Sequence, residues 1–244
     1  MFKIALDAGH GKYTAGKRCL KSLDKNETRE WILNARICEK IEAKLKAYDG
    51  YKLLRVDDPT GATDVPLKTR TDTANAWGAD LYFSVHHNAG INGGYGGGIV
   101  AITYTRVNAV TVEWQKAFYD ELIKQTGLKG NRATPCAQMN LHVCRETKMP
   151  AVLVELGFMD SKTDVPIILT DKFAEQCATA IVAVIVRKGG LTKKATASPA
   201  DYRTLVLDAC EFSAETVAYL DGYKYSQDLY KALWQCLREG KKRY

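Results

Sequence analysis

Short apolar segments alternating with amphipathic helical patterns predict an α/β protein: a twisted, mainly parallel or mixed sheet with helices on both faces, plus a small C-terminal helical segment. Two observations carry this. Runs rich in β-branched residues recur at FKIAL (2–6), YKLLRV (51–56), LYFSV (81–85), GIVAITY (98–104) and AVLVEL (151–156). Several are almost unbroken in hydrophobicity, as in strands buried on both faces. Between them, apolar residues fall at three-and-four spacing, which gathers them on one face of a helix.

Taken in order, the first strand candidate ends in DAGHG and is followed by a helical stripe of Trp31, Ala35, Cys38, Ile41 and Leu45. A second stripe is Val110, Trp114, Ala117 or Phe118, and Leu122, with Gly127 as a stop. A third is Phe173, Cys177, Ile181 and Val184 or Ile185, ending at Gly189 and Gly190. The stretch LTKKATASPA (191–200) has no periodic apolar signal and reads as a linker, so residues 1–190 are expected to form the main domain. Residues 201–244 show short helical patterns, including Ser226 as an N-cap before Leu229, Leu233 and Leu237. A piece of about 45 residues is marginal as an independent fold. It is expected to serve wall targeting or oligomerisation.

Composition narrows the class. A net charge of +7 without a long Lys/Arg block favours an anionic polymer as partner over a dedicated nucleic-acid reader. The seven cysteines are odd in number and scattered, with no CxxC pair. They are expected to be reduced core residues, which leaves histidine and carboxylate as metal ligands. The opening MFKIALDAGHG lacks the pattern of a secretory signal, so synthesis in the cytoplasm is expected. The longest apolar run, ATAIVAVIV (178–186), is far shorter than the roughly 20 residues needed to span a bilayer, and no membrane segment is expected.

In a parallel sheet the carboxyl ends of the strands share one edge, where ligands gather. Three of the candidate strands deliver chemistry there: Asp7 and His10 from DAGHG, Ser84, His86, His87 and Asn88 from SVHHNA, and Glu155 from AVLVELGF. A carboxylate inside so apolar a run needs a partner, because an uncompensated buried charge costs several kcal/mol. Neighbours on a strand face opposite sides, so one of His86 and His87 turns away. Two histidines, a buried carboxylate and a further carboxylate at the start of the first helix fit a His, His, Glu ligand set with one open position, which suits catalytic zinc.

Taken together, DAGHG, a helix-opening Glu with Asn four residues on (EWILN), PLKTRTDTANAWGADL, SVHHNA and MPAVLVELGFMD resemble the zinc-dependent N-acetylmuramoyl-L-alanine amidases of the type 3 family, across residues 1–188. The resemblance implies that one zinc ion is held by His10, Glu30 and His86. Glu27 is a rival to Glu30, but only Glu30 has Asn34 four positions on, as the family pattern has. It further implies that Glu155 is the catalytic base and that Arg70 and Asn88 stand beside the site. An ion pair competes with substrate contact as the role of Arg70. His87 occupies a position where the family usually has a small residue.

The expected function is therefore hydrolysis of the amide between N-acetylmuramic acid and L-alanine in bacterial peptidoglycan, in the manner of a phage endolysin that meets the wall after release. Neither nucleic acid nor membrane is expected as a partner. Two alternatives are a zinc peptidase cutting within the stem peptide and a catalytically inactive wall-binding module. The glycine-rich GINGGYGGG (90–98) lacks the Lys-Ser/Thr ending of a phosphate loop and is expected to be a flexible rim of the cleft. His142 reads as a lone structural or cleft-lining imidazole. Pairing it with Cys136 or Cys144 as a nucleophile has no wider pattern behind it.

Overall fold

A computed structural model describes residues 1–194 and 199–238, with side chains from 202 onward in the second span. The part of the expected linker at 195–198 lies outside the described residues. The chain divides into two compact units, Met1–Lys193 and Lys194–Tyr244.

The first unit begins with β1 (Phe2–Ala8), α1 (Glu30–Leu45), β2 (Tyr48–Asp49) and β3 (Tyr51–Arg55). Then come α2 (Leu67–Trp77), β4 (Leu81–Asn88), β5 (Ile99–Thr103) and α3 (Ala109–Thr126). It continues with β6 (Cys136–Gln138), α4 (His142–Arg145), β7 (Ala151–Phe158), α5 (Val165–Ile168), α6 (Asp171–Gly189) and β8 (Thr192–Lys193). Six strands form one sheet in the order β3-β1-β4-β7-β5-β6, and β2 pairs with β8 apart from it. The first four strands of that order run parallel, β5 runs antiparallel to β7, and β6 runs parallel to β5. The sheet is thus mixed and mostly parallel.

Both faces of the sheet are covered, which is why the strand sequences are apolar at nearly every position. Ile4, Leu6, Phe83, Val85 and Val154 face α1, α3 and α6, meeting Ile37, Cys38, Ile41, Phe118, Cys177 and Ile181. Ala5, Tyr82, Ile102 and Leu153 face the other way, toward Ala74 of α2 and Val143 of α4. Gly127 and Gly190 take left-handed C-cap conformations after α3 and α6, where a side chain would be strained. All seven cysteines are free thiols, four of them buried. Among the described residues no helix is long and apolar enough to cross a membrane.

The glycine-rich segment after β4 is tied down, in contrast to the flexible rim its composition suggests. Asp160 Oδ2 accepts from the backbone N–H groups of Gly90, Ile91 and Asn92 at 2.8, 2.9 and 2.7 Å. Asp164 Oδ2 accepts from Gly98 at 2.7 Å and Phe158 at 2.9 Å. The glycines serve close packing: a Cβ on Gly130 would stand 1.9 Å from the Gly97 carbonyl oxygen.

The second unit has three helices, α7 (Pro199–Ala209), α8 (Ala214–Gly222) and α9 (Ser226–Arg238). Ser213 caps α8 by accepting from Thr216 N–H at 3.3 Å. Asp221 of α8 joins the other two helices: Arg203 of α7 grips it with two bonds of 2.8 Å, and Tyr230 of α9 donates to it at 2.9 Å. Val206 and Tyr230 are the residues of this unit that are almost wholly buried among those described.

Asp160→Ala is expected to lower the unfolding free energy by about 3 kcal/mol, since three N–H groups lose a charged acceptor at once. Urea denaturation measures it. A change below about 0.5 kcal/mol would mean that the loop holds itself.

Candidate metal centre

Parallel register brings the functional residues together. Asp7 of β1 lies opposite Ser84 of β4, and His86 of β4 lies opposite Glu155 of β7, all on the α2 side of the sheet. The chain leaves β1 through Gly9, whose N–H donates to the Val85 carbonyl at 3.0 Å, and His10 then takes a left-handed conformation with φ 67°. Gly9 has to be glycine here, because a Cβ would stand 2.0 Å from the His86 ring. From the opposite layer α1 points its N-terminus at the same edge, with Glu30 as its first residue. A carboxylate is favoured there by the helix dipole.

Glu30 is 1% exposed and stands between the two imidazoles. Its Oε1 lies 3.1 Å from His86 Nδ1 and accepts from the His87 N–H at 3.2 Å. Its Oε2 lies 3.3 Å from His10 Nε2 and 3.9 Å from Lys17 Nζ, yet has no hydrogen-bond partner. The two histidine rings meet edge to face, with centroids 4.9 Å apart. One ligand atom from each of His10, Glu30 and His86 falls within 4.8 Å of the other two. Glu27, the rival carboxylate, turns away to Arg18 and Lys21 at 3.3 and 3.9 Å.

The turn that carries His10 is gripped from two sides. Arg70 of α2, only 1% exposed, pairs with Asp7 and donates to the carbonyls of Ala8 at 2.9 Å and His10 at 3.0 Å. Tyr82 and Ser84 complete Asp7, donating to its Oδ2 at 3.0 and 2.7 Å. From α1, Asn34 donates to the Gly9 carbonyl at 3.1 Å. Three successive carbonyls are thereby fixed, which holds a conformation that non-glycine residues rarely adopt. His87 faces the α1 layer, with Nδ1 placed 2.8 Å from Asn34 Oδ1. Since Asn34 already donates to Gly9, its oxygen accepts and His87 carries its proton on Nδ1.

Electrostatics separates the two glutamates. Burial alone would raise the pKa of Glu30, but the adjoining His10 and His86 more than reverse this and hold it well below the usual carboxylate range. Glu155 is pushed up to about 7, first by burial and then by the negative charge of Glu30, against the opposing pull of His86 and Lys17. Its Oε2 is buried without a hydrogen bond. Burial lowers the His86 pKa less than Glu30 raises it, so this imidazole is the more basic for its place. The donors fit a divalent cation such as zinc: two imidazole nitrogens and a carboxylate oxygen that lacks a hydrogen bond.

A cavity of about 340 Å³ opens beside these residues and is walled by Asp64, Val65, Pro66 and Leu67. This wall and the lysine at Glu30 are features the sequence reading missed. Lys17, Asp64 and Val65 lie in aperiodic connections, and Pro66 and Leu67 open a helix that has no apolar stripe. Asn88 folds its side chain back to the N–H of Ala89 at 2.8 Å. His142 sits 3.4 Å from Thr71 Oγ1, and Cys144 is buried, which pushes its thiol up to about 12 and removes it as a nucleophile.

Two imidazoles and a buried carboxylate aimed at one point, with a second carboxylate of raised pKa next in register, are the groups that metal-assisted hydrolysis requires. The class can be narrowed by likeness to known proteins. The chain belongs to the N-acetylmuramoyl-L-alanine amidase family, whose sequence model matches residues 4–187. It is 33% identical over 199 residues to the N-acetylmuramoyl-L-alanine amidase CwlM of Bacillus licheniformis, covering 81% of this chain and 72% of the relative. Against the endolysin of Bacillus phage SPP1 it is 31% identical over 197 residues, covering 80% of this chain and 69% of the relative. The solved structure of N-acetylmuramoyl-L-alanine amidase from Clostridium difficile 630 superposes with a TM-score of 0.69 at 25% identity, over 78% of this chain and 97% of that one.

His87 provides a pH test of this packing. Burial holds its pKa down at about 3, below the ordinary 6.5, so the unfolded chain takes up the proton first. Its contribution to stability is complete above pH about 6.5 and is lost progressively as pH falls from about 6.5 toward 3. Denaturation of the metal-free chain at successive pH values should show this fall, and it should be smaller in His87→Gln. An equal fall in both chains would assign the pH dependence elsewhere.

Proposed function

We propose that the first unit is a zinc-dependent amidase that hydrolyses the bond between the N-acetylmuramic acid lactyl group and L-alanine in bacterial peptidoglycan. His10, Glu30 and His86 are its zinc ligands and Glu155 its general base. The observation that carries this reading is the orphaned Glu30 oxygen between two imidazoles, with Glu155 opposite His86 in the sheet.

When bound, zinc supplies Lewis-acid chemistry, polarising the scissile carbonyl and acidifying water. The residues of the chain supply the rest. Glu155, with a pKa near 7, takes a proton from the attacking water and then delivers it to the departing nitrogen of L-alanine. The lactyl carbon gains the hydroxyl oxygen as the C–N bond breaks, giving a lactyl carboxylate and an L-alanine amino terminus. Arg70 and Asn34 act through His10, fixing the turn that presents it. The apolar wall at Val65, Pro66 and Leu67 gives the methyl groups on either side of the scissile bond a surface to rest on.

For the setting, we propose a lysin that meets the wall after release, supported by the likeness to the phage SPP1 endolysin. For the second unit, we propose wall targeting. Its support is a surface with Tyr219, Tyr223 and Tyr225 at 75, 48 and 55% exposure, since aromatic faces suit sugars. A chain ending at residue 190 should then adsorb less to walls while still cleaving small soluble fragments. Unchanged adsorption would rule targeting out.

The reaction itself is tested by Glu155→Gln. Hydrolysis should fall by a factor of about 10² to 10⁴ with zinc content unchanged. Mass analysis of fragments released by the parent chain should find new amino termini on L-alanine. Termini elsewhere in the stem would indicate a peptidase, and full activity in the variant would move the base to another residue.

A further inference from the structure

The connection from β1 to α1 holds six basic residues, Lys12, Lys17, Arg18, Lys21, Lys25 and Arg29. Arg18 and Lys21 turn to Glu27. Lys17 instead reaches the metal centre, its Nζ standing 3.9 Å from Glu30 Oε2 with the side chain 45% exposed. Its backbone carbonyl accepts from the Glu30 N–H at 3.0 Å, which ties its position to the first residue of α1. Among the described residues its ammonium has no hydrogen bond. Charge at the mouth shows why this matters. The other cation of the site, Arg70, is held by Asp7 and Asp64. Lys17 is thus a cation of the site that stands half in solvent, within reach of Glu30 and without a hydrogen bond among the described residues.

We infer that Lys17 is a specificity residue that pairs with a carboxylate on the peptide side of the scissile amide. This rests on the amidase reading. The chemistry of the substrate selects the side, because the glycan strand around N-acetylmuramic acid is uncharged. The first charge beyond L-alanine is the α-carboxylate of the second stem residue, which is a free acid in one form of the stem and an amide in another. A half-exposed lysine favours the acid by charge and gains little from the amide.

N-acetylmuramoyl-L-alanyl-D-glutamate and N-acetylmuramoyl-L-alanyl-D-isoglutamine differ in that one group and serve as probes. Calorimetric titration of zinc-loaded Glu155→Gln should show the acid binding about fivefold more tightly than the amide. Adding Lys17→Met should bring the ratio close to one, and Lys17→Arg should keep it, with zinc content the same in all three. In the active zinc-loaded chain the same preference should appear in KM and leave kcat nearly unchanged. A preference that survives Lys17→Met, an absent preference in the parent, or an equal weakening of both probes would overturn the assignment. If the parent still splits N-acetylmuramoyl-L-alanine bonds in those cases, only the role of Lys17 falls. If it splits neither probe, the amidase reading falls with it.

Discussion

A buried carboxylate with an unsatisfied oxygen sets the terms for the first unit. Glu30 is 1% exposed, and such a charge costs several kcal/mol unless it is compensated. The chain gathers two imidazoles, a lysine, a backbone N–H and the N-terminus of α1 around it, and still leaves Oε2 without a hydrogen bond. Burying charge in this way is poor economy for stability alone. It fits the proposed metal site, whose donors would stand preorganised for a cation with little rearrangement on binding.

The rest of the fold can be understood as holding that arrangement still. His10 sits on a turn with a positive φ, and the turn persists because its carbonyls are held by Arg70 from one layer and Asn34 from the other. Arg70 is itself buried, so its guanidinium depends on Asp7, which in turn is saturated by Tyr82 and Ser84. The network therefore runs from the second helix through the sheet to the turn that carries His10, with Arg70, Asp7, Tyr82 and Ser84 each partnered. A network of this kind is cooperative, and losing one member exposes the others as unpaired buried groups.

Much of this was legible in the sequence because burial leaves a strong mark. The five main strands are apolar on both faces, and α1, α3 and α6 each carry one apolar stripe. The edge argument brought His10, His86 and Glu155 to one place, while the choice of Glu30 over Glu27 came from the family resemblance through Asn34. The polar helix α2 was not legible, since it buries only Arg70, Thr71 and Ala74 and so shows no stripe. The three-residue β6 is too short for a pattern, and nothing in the run of β5 reveals that it lies antiparallel to β7. The glycine-rich segment reads as flexible because its anchor, Asp160, lies about seventy positions away in the chain. Lys17 gave no signal for the same reason: its meaning comes from where the chain returns, and not from its neighbours.

X-ray absorption spectroscopy at the zinc edge tests the proposed three-residue site most directly. One zinc per chain is expected, with two imidazole nitrogens and at least one carboxylate oxygen in the coordination shell and no sulfur. Replacing any of His10, Glu30 or His86 with alanine should remove that signature. A sulfur-containing shell, or a signature that outlasts all three replacements, would place the metal elsewhere and contradict the site.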